Sequence, residues 1–314
     1  MADAPLYLLR LPQYLALMLL FGLPLLQWRA GRALRDSGDA EAAGFDPRPL
    51  RSWLLACALA ALALNAAEAP LKAMRLLWLS LPELDAASLA WYVFDTAAGR
   101  AWLVRGMLLL AVAGVLVAAS RGSRGLPVRG LCVLSGLALA TLLWNGHAAA
   151  SAGAAGVLRL GLGGLHLLAA AAWLGAIAGF LAMLAGDWPR RGDIVTLRRW
   201  HARLHAFATT GGALVAVLVA SGIVHYAWII EWRWSPATLL ATPYGRWMLF
   251  KLAMFAAMLA LAALHRWILV PRLAVPDGHP DDPVRLRRSL RLEAAAAVLV
   301  VAAVAVAGTM SPHG

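Results

Sequence analysis

Residues 157–185 read VLRLGLGGLHLLAAAAWLGAIAGFLAMLA, with Arg159 the only charged side chain and His166 the only histidine. A helix of that length and composition is long enough to cross about 30 Å of hydrocarbon, for which about 20 apolar residues suffice. A transmembrane strand would need only about ten residues of alternating polarity, whereas this run is unbroken and rich in Leu and Ala. Reading outward in both directions gives similar runs near 6–28, 51–69, 101–120, 127–147, 203–230, 246–270 and 289–310. The sequence therefore predicts an all-α, polytopic membrane helix bundle of about eight transmembrane helices, with residues 1–314 forming a single membrane domain.

The bulk composition agrees. Hydrophobic residues make up 62% of the chain and charged residues 14%, with a mean hydropathy of +0.72; soluble domains carry about 25% charged residues. A formal charge of +12 would suggest nucleic acid in a soluble protein. Here the basic residues lie in loops between apolar runs, where they orient the spans and contact anionic membrane lipids, so no nucleic acid partner is expected. The two cysteines, Cys57 and Cys132, each sit inside an apolar run and read as small buried hydrophobes without a disulfide framework. The first apolar stretch is too long for the core of a signal peptide and reads as a retained span.

Lys and Arg in short loops mark the cytoplasmic side. Arg29, Arg32, Arg35, Arg48 and Arg51 form one cluster, Arg121, Arg124 and Arg129 the next, then Arg190, Arg191, Arg198, Arg199 and Arg203, and finally Arg266, Arg272, Arg285, Arg287, Arg288 and Arg291. The alternate connections are poorer in basic residues, so both termini are expected on the periplasmic side of a bacterial inner membrane. The loop from about 70 to 100 contains a short amphipathic segment, and Trp78, Trp91, Tyr92 and Trp102 read as interfacial anchors.

Thr96, Gly99, Arg100 and Arg105 before the third span recur as Thr242, Gly245, Arg246 and Lys251 before the seventh, at a constant offset of 146 residues. Four spans per half imply a 4+4 parallel internal repeat about an axis along the membrane normal. That repeat places Arg100 and Arg246 symmetrically at the outer surface, either guarding an entrance or snorkelling to lipid headgroups.

Histidines are the most informative polar residues, since ligating groups within spans are costly and mark pathways. His147, His166, His225 and His313 fall in the outer half, and His201, His205, His265 and His279 towards the cytoplasm. Imidazole suits copper and other late first-row metals, and is neutral at pH 7. Three helices converging on one pocket would supply three nitrogens. Met310, three residues before His313, offers a thioether suited to Cu(I), and Met254 and Met258 offer another pair. Against these readings stand a helix-to-helix hydrogen bond for His166, a cap for His147, a purely structural role for His225 three residues after Gly222, and simple packing for the methionines. Glu68, one turn after Asn65, either assists a cation or reaches water, and the sequence favours water. His201 and His205, spaced i, i+4 beside Trp200, Arg199 and Arg203, read as a titratable interface rather than a metal pair. No HExxH, CxxC, P-loop or nucleophile elbow is present, so a non-enzymatic protein is expected.

Gly146-His147-Ala148, His166 with Trp173-Leu174-Gly175, Ser221-Gly222, Thr242-Pro243-Tyr244-Gly245-Arg246, and Gly308-Thr309 before Pro312 occur in this order. In these residues the chain resembles the bacterial copper resistance D (CopD) family of inner-membrane proteins, most densely over a CopD-like region from about 140 to 312. The resemblance implies copper homeostasis, with a copper ion, Cu(I) or Cu(II), handled at the membrane alongside a periplasmic CopC-like copper-binding protein. His147 and His166 match family positions, while His225 and the 201–205 pair depart from the pattern. The expectation is periplasmic copper binding and movement across the inner membrane without an ATP-binding element. The alternatives are a haem-binding membrane electron-transfer protein and an assembly factor that binds no metal.

Overall fold

The computed structural model describes residues 4–36, 47–121, 125–145, 153–186, 193–229, 240–273 and 281–310. These form α1 (Ala4–Asp36), α2 (Pro47–Leu77), α3 (Ala86–Asp95), α4 (Ala97–Arg121) and α5 (Val128–Ala140), which tightens into a 3-10 turn at Thr141–Asn145. They continue with α6 (Gly153–Gly186), α7 (Ile194–Ile229), α8 (Pro243–Leu264) and α9 (Asp282–Ala307). Beyond Leu264, α8 runs through a π-helical turn at His265–Leu269 and a last turn at Val270–Arg272. Among the described residues seven helices are long and apolar enough to span a membrane, and Val128–Trp144 adds a shorter apolar one. The architecture is an all-α membrane bundle without strands among those residues.

Helices prevail because hydrocarbon offers no partner to a free N–H or C=O, so each span must close its own backbone hydrogen bonds. Pro12 and Pro24 in α1 and Pro70 in α2 are tolerated inside spans for the same reason, since neighbouring helices can meet the freed groups. Both cysteines are free thiols, Cys132 buried and Cys57 half-buried.

The amphipathic segment of the 70–100 loop is α3. Its start is fixed by Asp85, whose carboxylate accepts from the Ser88 N–H at 2.7 Å, and this hydrogen bonding holds the carboxyl below its ordinary value. Trp78 and Trp91 are exposed, as interfacial anchors require. Tyr92 and Trp102 are not anchors of that kind. Tyr92 is buried with Ala69 and Ala73, and the Trp102 indole donates to the Asn65 carbonyl at 2.5 Å. The cause is a close approach at Gly99, where a Cβ would strike the Tyr92 carbonyl, so that α3 lies down on α2 and α4.

At the centre, α1 and α6 pack back to back. A Cβ on Gly22 would run into Ala171 and Gly175, and one on Gly175 into the backbone of Gly22. These glycines stand 153 residues apart, and each meets the other, which is the reciprocal contact expected on a two-fold axis. The helix starts of α4 and α8 are also alike. Thr96 Oγ1 accepts from the Gly99 N–H at 2.9 Å and Thr242 Oγ1 from the Gly245 N–H at 3.0 Å, while the Arg100 and Arg246 N–H groups donate to the Thr96 and Thr242 carbonyls at 3.1 Å each. Helices α1, α2, α4 and α5 thus correspond to α6, α7, α8 and α9. One difference bears on the site: α2 packs along α4, whereas α7 and α8 stand largely apart, meeting near the arginine-rich end through Arg266 and the Ala208 carbonyl.

Replacing Gly22 with Leu is expected to destabilise the bundle by about 3 kcal/mol, read as a lower thermal midpoint of the detergent-solubilised protein. Gly114→Ala, at a position with nothing within 4 Å, should leave the midpoint unchanged or raise it slightly.

Candidate metal site

His166 lies on α6 and His225 on α7, in the half of the bundle nearer the arginine-poor face. Their ring centroids are 6.0 Å apart at an interplanar angle of 77°. Ser221, one turn before His225, lies 2.8 Å from His166 Nδ1 and sends its own proton to the Val217 carbonyl at 2.5 Å. With its proton so engaged, Ser221 Oγ accepts from His166 Nδ1–H, which leaves the Nε2 lone pair of His166 open to a ligand. The His166 imidazole is therefore oriented by a hydrogen bond, the arrangement that holds histidine ligands around metals. The His225 ring stands edge-on to the Trp228 ring, with centroids 6.0 Å apart. Small residues make the room: a Cβ at Gly222 would lie 3.7 Å from His166 Cε1, and one at Gly163 3.5 Å from His225 Cε1. Lys251 of α8 is close enough to act electrostatically on both rings.

The equivalent place in the first half is filled differently. Gln13 corresponds to His166, Glu68 to Ser221 and Lys72 to His225, all at the offset of 153 residues that relates Gly22 to Gly175. Gln13 Nε2 donates to Glu68 Oε2 at 2.9 Å across 55 residues of chain, the same separation in sequence as between His166 and Ser221. Arg105, which corresponds to Lys251, is wholly buried, donates through Nε to Asn65 Oδ1 at 2.6 Å, and pairs through Nη2 with Glu68. Lys72 pairs with the other carboxylate oxygen. Glu68 is 4% exposed. The expectation that it reaches water is overturned: in a low-dielectric setting a carboxylate with two cations beside it is held inside.

Other candidates are dispersed. Arg100 and Arg246 are exposed at the arginine-poor face, Arg100 donating to the Phe94 carbonyl at 2.9 Å, and the described contacts of neither reach His166. Met310 is half-buried at the end of α9, Met258 is packed in the core, and His201 and His205 stack at 5.6 Å. His147, His313 and His279 lie outside the described residues. Among the described residues no cluster of three or more His, Cys, Asp or Glu side chains forms.

Several polar residues were not legible as site components in the sequence. Gln13, Lys72 and Ser221 are single polar residues in apolar runs, and their significance is set by neighbours on another helix. The i, i+4 spacing of Glu68 and Lys72 was the available signal for one of them. His225, set apart from the family pattern, is the residue the fold brings to His166.

Fold and niche together define a multi-pass membrane protein with matching helix starts in its two halves and an imidazole pair held between two spans of the second. The pattern of the family described as Copper resistance protein D matches residues 201–307, and that of Copper resistance protein D-like, N-terminal domain, matches residues 1–157. Copper resistance protein D of Pseudomonas syringae pv. tomato is 34% identical over 316 aligned residues, covering 97% of this chain and 96% of that protein. Copper transport protein CutJ of Bacillus subtilis (strain 168) is 32% identical over 68% of this chain and 37% of its own length. Inner membrane protein YebZ of Escherichia coli (strain K12) is 27% identical over 70% of this chain and 71% of its own. No solved structure matches. The chain belongs to the copper resistance protein D family.

Glu68→Gln strips the buried cations of their counter-charge and is expected to destabilise the protein by about 3–5 kcal/mol. Combining it with Arg105→Met should recover part of the lost thermal midpoint, since replacing both partners removes the uncompensated charge.

Proposed function

We propose that this chain is a copper-homeostasis protein of the bacterial inner membrane that binds copper between His166 and His225 near its periplasmic side and relays the ion across the membrane. The observation that carries the reading is the pairing of two imidazoles across α6 and α7, with His166 Nε2 left open by the Ser221 hydrogen bond. A ring separation of 6.0 Å fits an ion held about 2 Å from one nitrogen of each ring. The names of two relatives, a copper resistance protein and a copper transport protein, identify copper as the metal to test, and a third is named as an inner membrane protein.

His147 is the proposed third ligand. Leu143, four residues before it, packs on Gly163 beside His225, so the chain leaves α5 at the niche. Met310 follows just beyond α9, and it would offer a thioether, and His313 three residues further along the chain an imidazole, to an arriving or departing ion. The arginine-poor face is periplasmic in this reading, with both termini on that side, and a CopC-like copper-binding protein is the proposed donor there. Arg100 and Arg246 flank the approach, and Glu68 acts by locking the first half.

Copper titration of the purified chain tests the site. His166→Ala and His225→Ala should each weaken copper binding by about 100-fold or more, and Ser221→Ala, which frees the His166 ring, by about 10–100-fold. Unchanged copper stoichiometry in a His147→Ala, His166→Ala double variant would reject the niche. An absorption spectrum separates the rival reading, because haem held between the imidazoles would show a Soret band.

A further inference from the structure

The arginine-rich half of the bundle holds a second buried pair, His265 and Glu293, joined by Trp173 and Ser289. His265 opens the π-helical turn that ends α8, and Glu293 lies on α9. Glu293 is 2% exposed. Its Oε1 accepts from the Trp173 indole N–H of α6 at 2.8 Å, and its Oε2 stands 3.2 Å from His265 Nδ1. The other ring nitrogen of His265, Nε2, lies 2.7 Å from Ser289 Oγ. An ionisable pair inside a membrane bundle marks an ion pathway more often than it stabilises the fold, and π-helical turns concentrate at functional sites.

Two features argue that the pair serves the path rather than the scaffold. The repeat does not require it: the first-half positions corresponding to Trp173 and His265 are Leu20 and Ala119. The pair also lies on the helix faces that carry the histidine niche. Trp173 follows His166 by seven residues on α6, and Lys251, Met258 and His265 are spaced by seven on α8, so each set shares one face. The fourteen residues from Lys251 to His265 cover about 21 Å of helix, enough to lead from one half of the bilayer to the other. Trp173 and Phe255 meet edge to face between them, with ring centroids 6.2 Å apart.

We propose that His265 Nδ1 and Glu293 Oε2 form an inner metal station that accepts copper as Cu(II), a second site on the path whose outer end is the His166–His225 niche. The proposal rests on the copper reading above. Two ligand atoms about 2.1 Å from a common ion are 3.2 Å apart when they subtend about 100° at it, so the pair has the bite of a chelate. A nitrogen and oxygen donor set favours Cu(II) over Cu(I). Ser289 allows the ring to present Nδ1: its hydroxyl can donate to Nε2 or accept from Nε2–H, and the second arrangement leaves the Nδ1 lone pair for the metal. Trp173 keeps its hold on Oε1 and aims Oε2. Two protein ligands make a weak site, as a relay needs, since an ion bound tightly at one station would not leave it.

The test is Cu(II) titration of the full chain in detergent, in a His201→Ala, His205→Ala background so that the stacked histidines do not contribute, read by equilibrium dialysis and by electron paramagnetic resonance. The parent should bind about two Cu(II) per chain, one with nitrogen-rich coupling and one with mixed nitrogen and oxygen donors. Glu293→Gln or His265→Ala should remove the mixed-donor signal and one equivalent; His147→Ala, His166→Ala, His225→Ala should remove the other. Retention of both equivalents in Glu293→Gln and His265→Ala overturns the inner station. Loss of one equivalent in Glu293→Gln, with none lost from the triple variant, sinks the outer niche and leaves the inner station standing. If the inner variants do not fold, the parent spectrum decides: absence of any mixed-donor Cu(II) species overturns the proposal.

Discussion

Hydrocarbon cannot solvate a charge or a free backbone group, and that constraint shapes each feature of this protein. It forces the spans to be helices, and it obliges Glu68, Lys72 and Arg105 to complete one another inside the bundle. The same demand gives two imidazoles of the second half a hydrogen-bond partner on a neighbouring helix: Ser221 for His166 and Ser289 for His265. Polar contacts across helices therefore fix ring orientation as well as fold.

The matching positions of the two halves set an ion-paired cluster in one against an imidazole pair in the other. Around the Gly22–Gly175 contact, equivalent positions hold Gln13 and His166, Glu68 and Ser221, Lys72 and His225, and Arg105 and Lys251. In the first half a carboxylate occupies the middle of the cluster and is neutralised from within, which suits a rigid anchor. In the second a hydroxyl takes its place and imidazoles replace amide and ammonium, so lone pairs remain for an outside cation. The spacing of helices agrees with this division, since α2 packs on α4 while α7 and α8 stand largely apart beside the histidines.

Much of the fold was legible because hydrophobic length is a local property. Eight apolar runs announced eight helices, and the recurrence of Thr96, Gly99 and Arg100 at Thr242, Gly245 and Arg246 announced two like helix starts, each capped by its threonine. The site was legible only in part. His166 stood out as a lone imidazole in an apolar helix, but His225 looked peripheral, Glu68 looked solvated, and Glu293 was hidden behind the arginines at 285, 287, 288 and 291. Each of those readings turns on which residue of another helix lies opposite, and no single-helix pattern carries that information.

By itself the sequence determined that the chain crosses a membrane as helices, that two span starts recur at a constant offset, and that histidines are its scarce ligating groups, because length, spacing and composition act within one stretch of chain. Only the tertiary structure decided that His166 meets His225 while Glu68 is claimed by Arg105 and Lys72, and that Glu293 joins His265 and Trp173. The physical reason is that these partners, Lys72 with Glu68 aside, lie 28 to 120 residues apart, and their approach is set by helix packing at contacts such as Gly22 against Gly175.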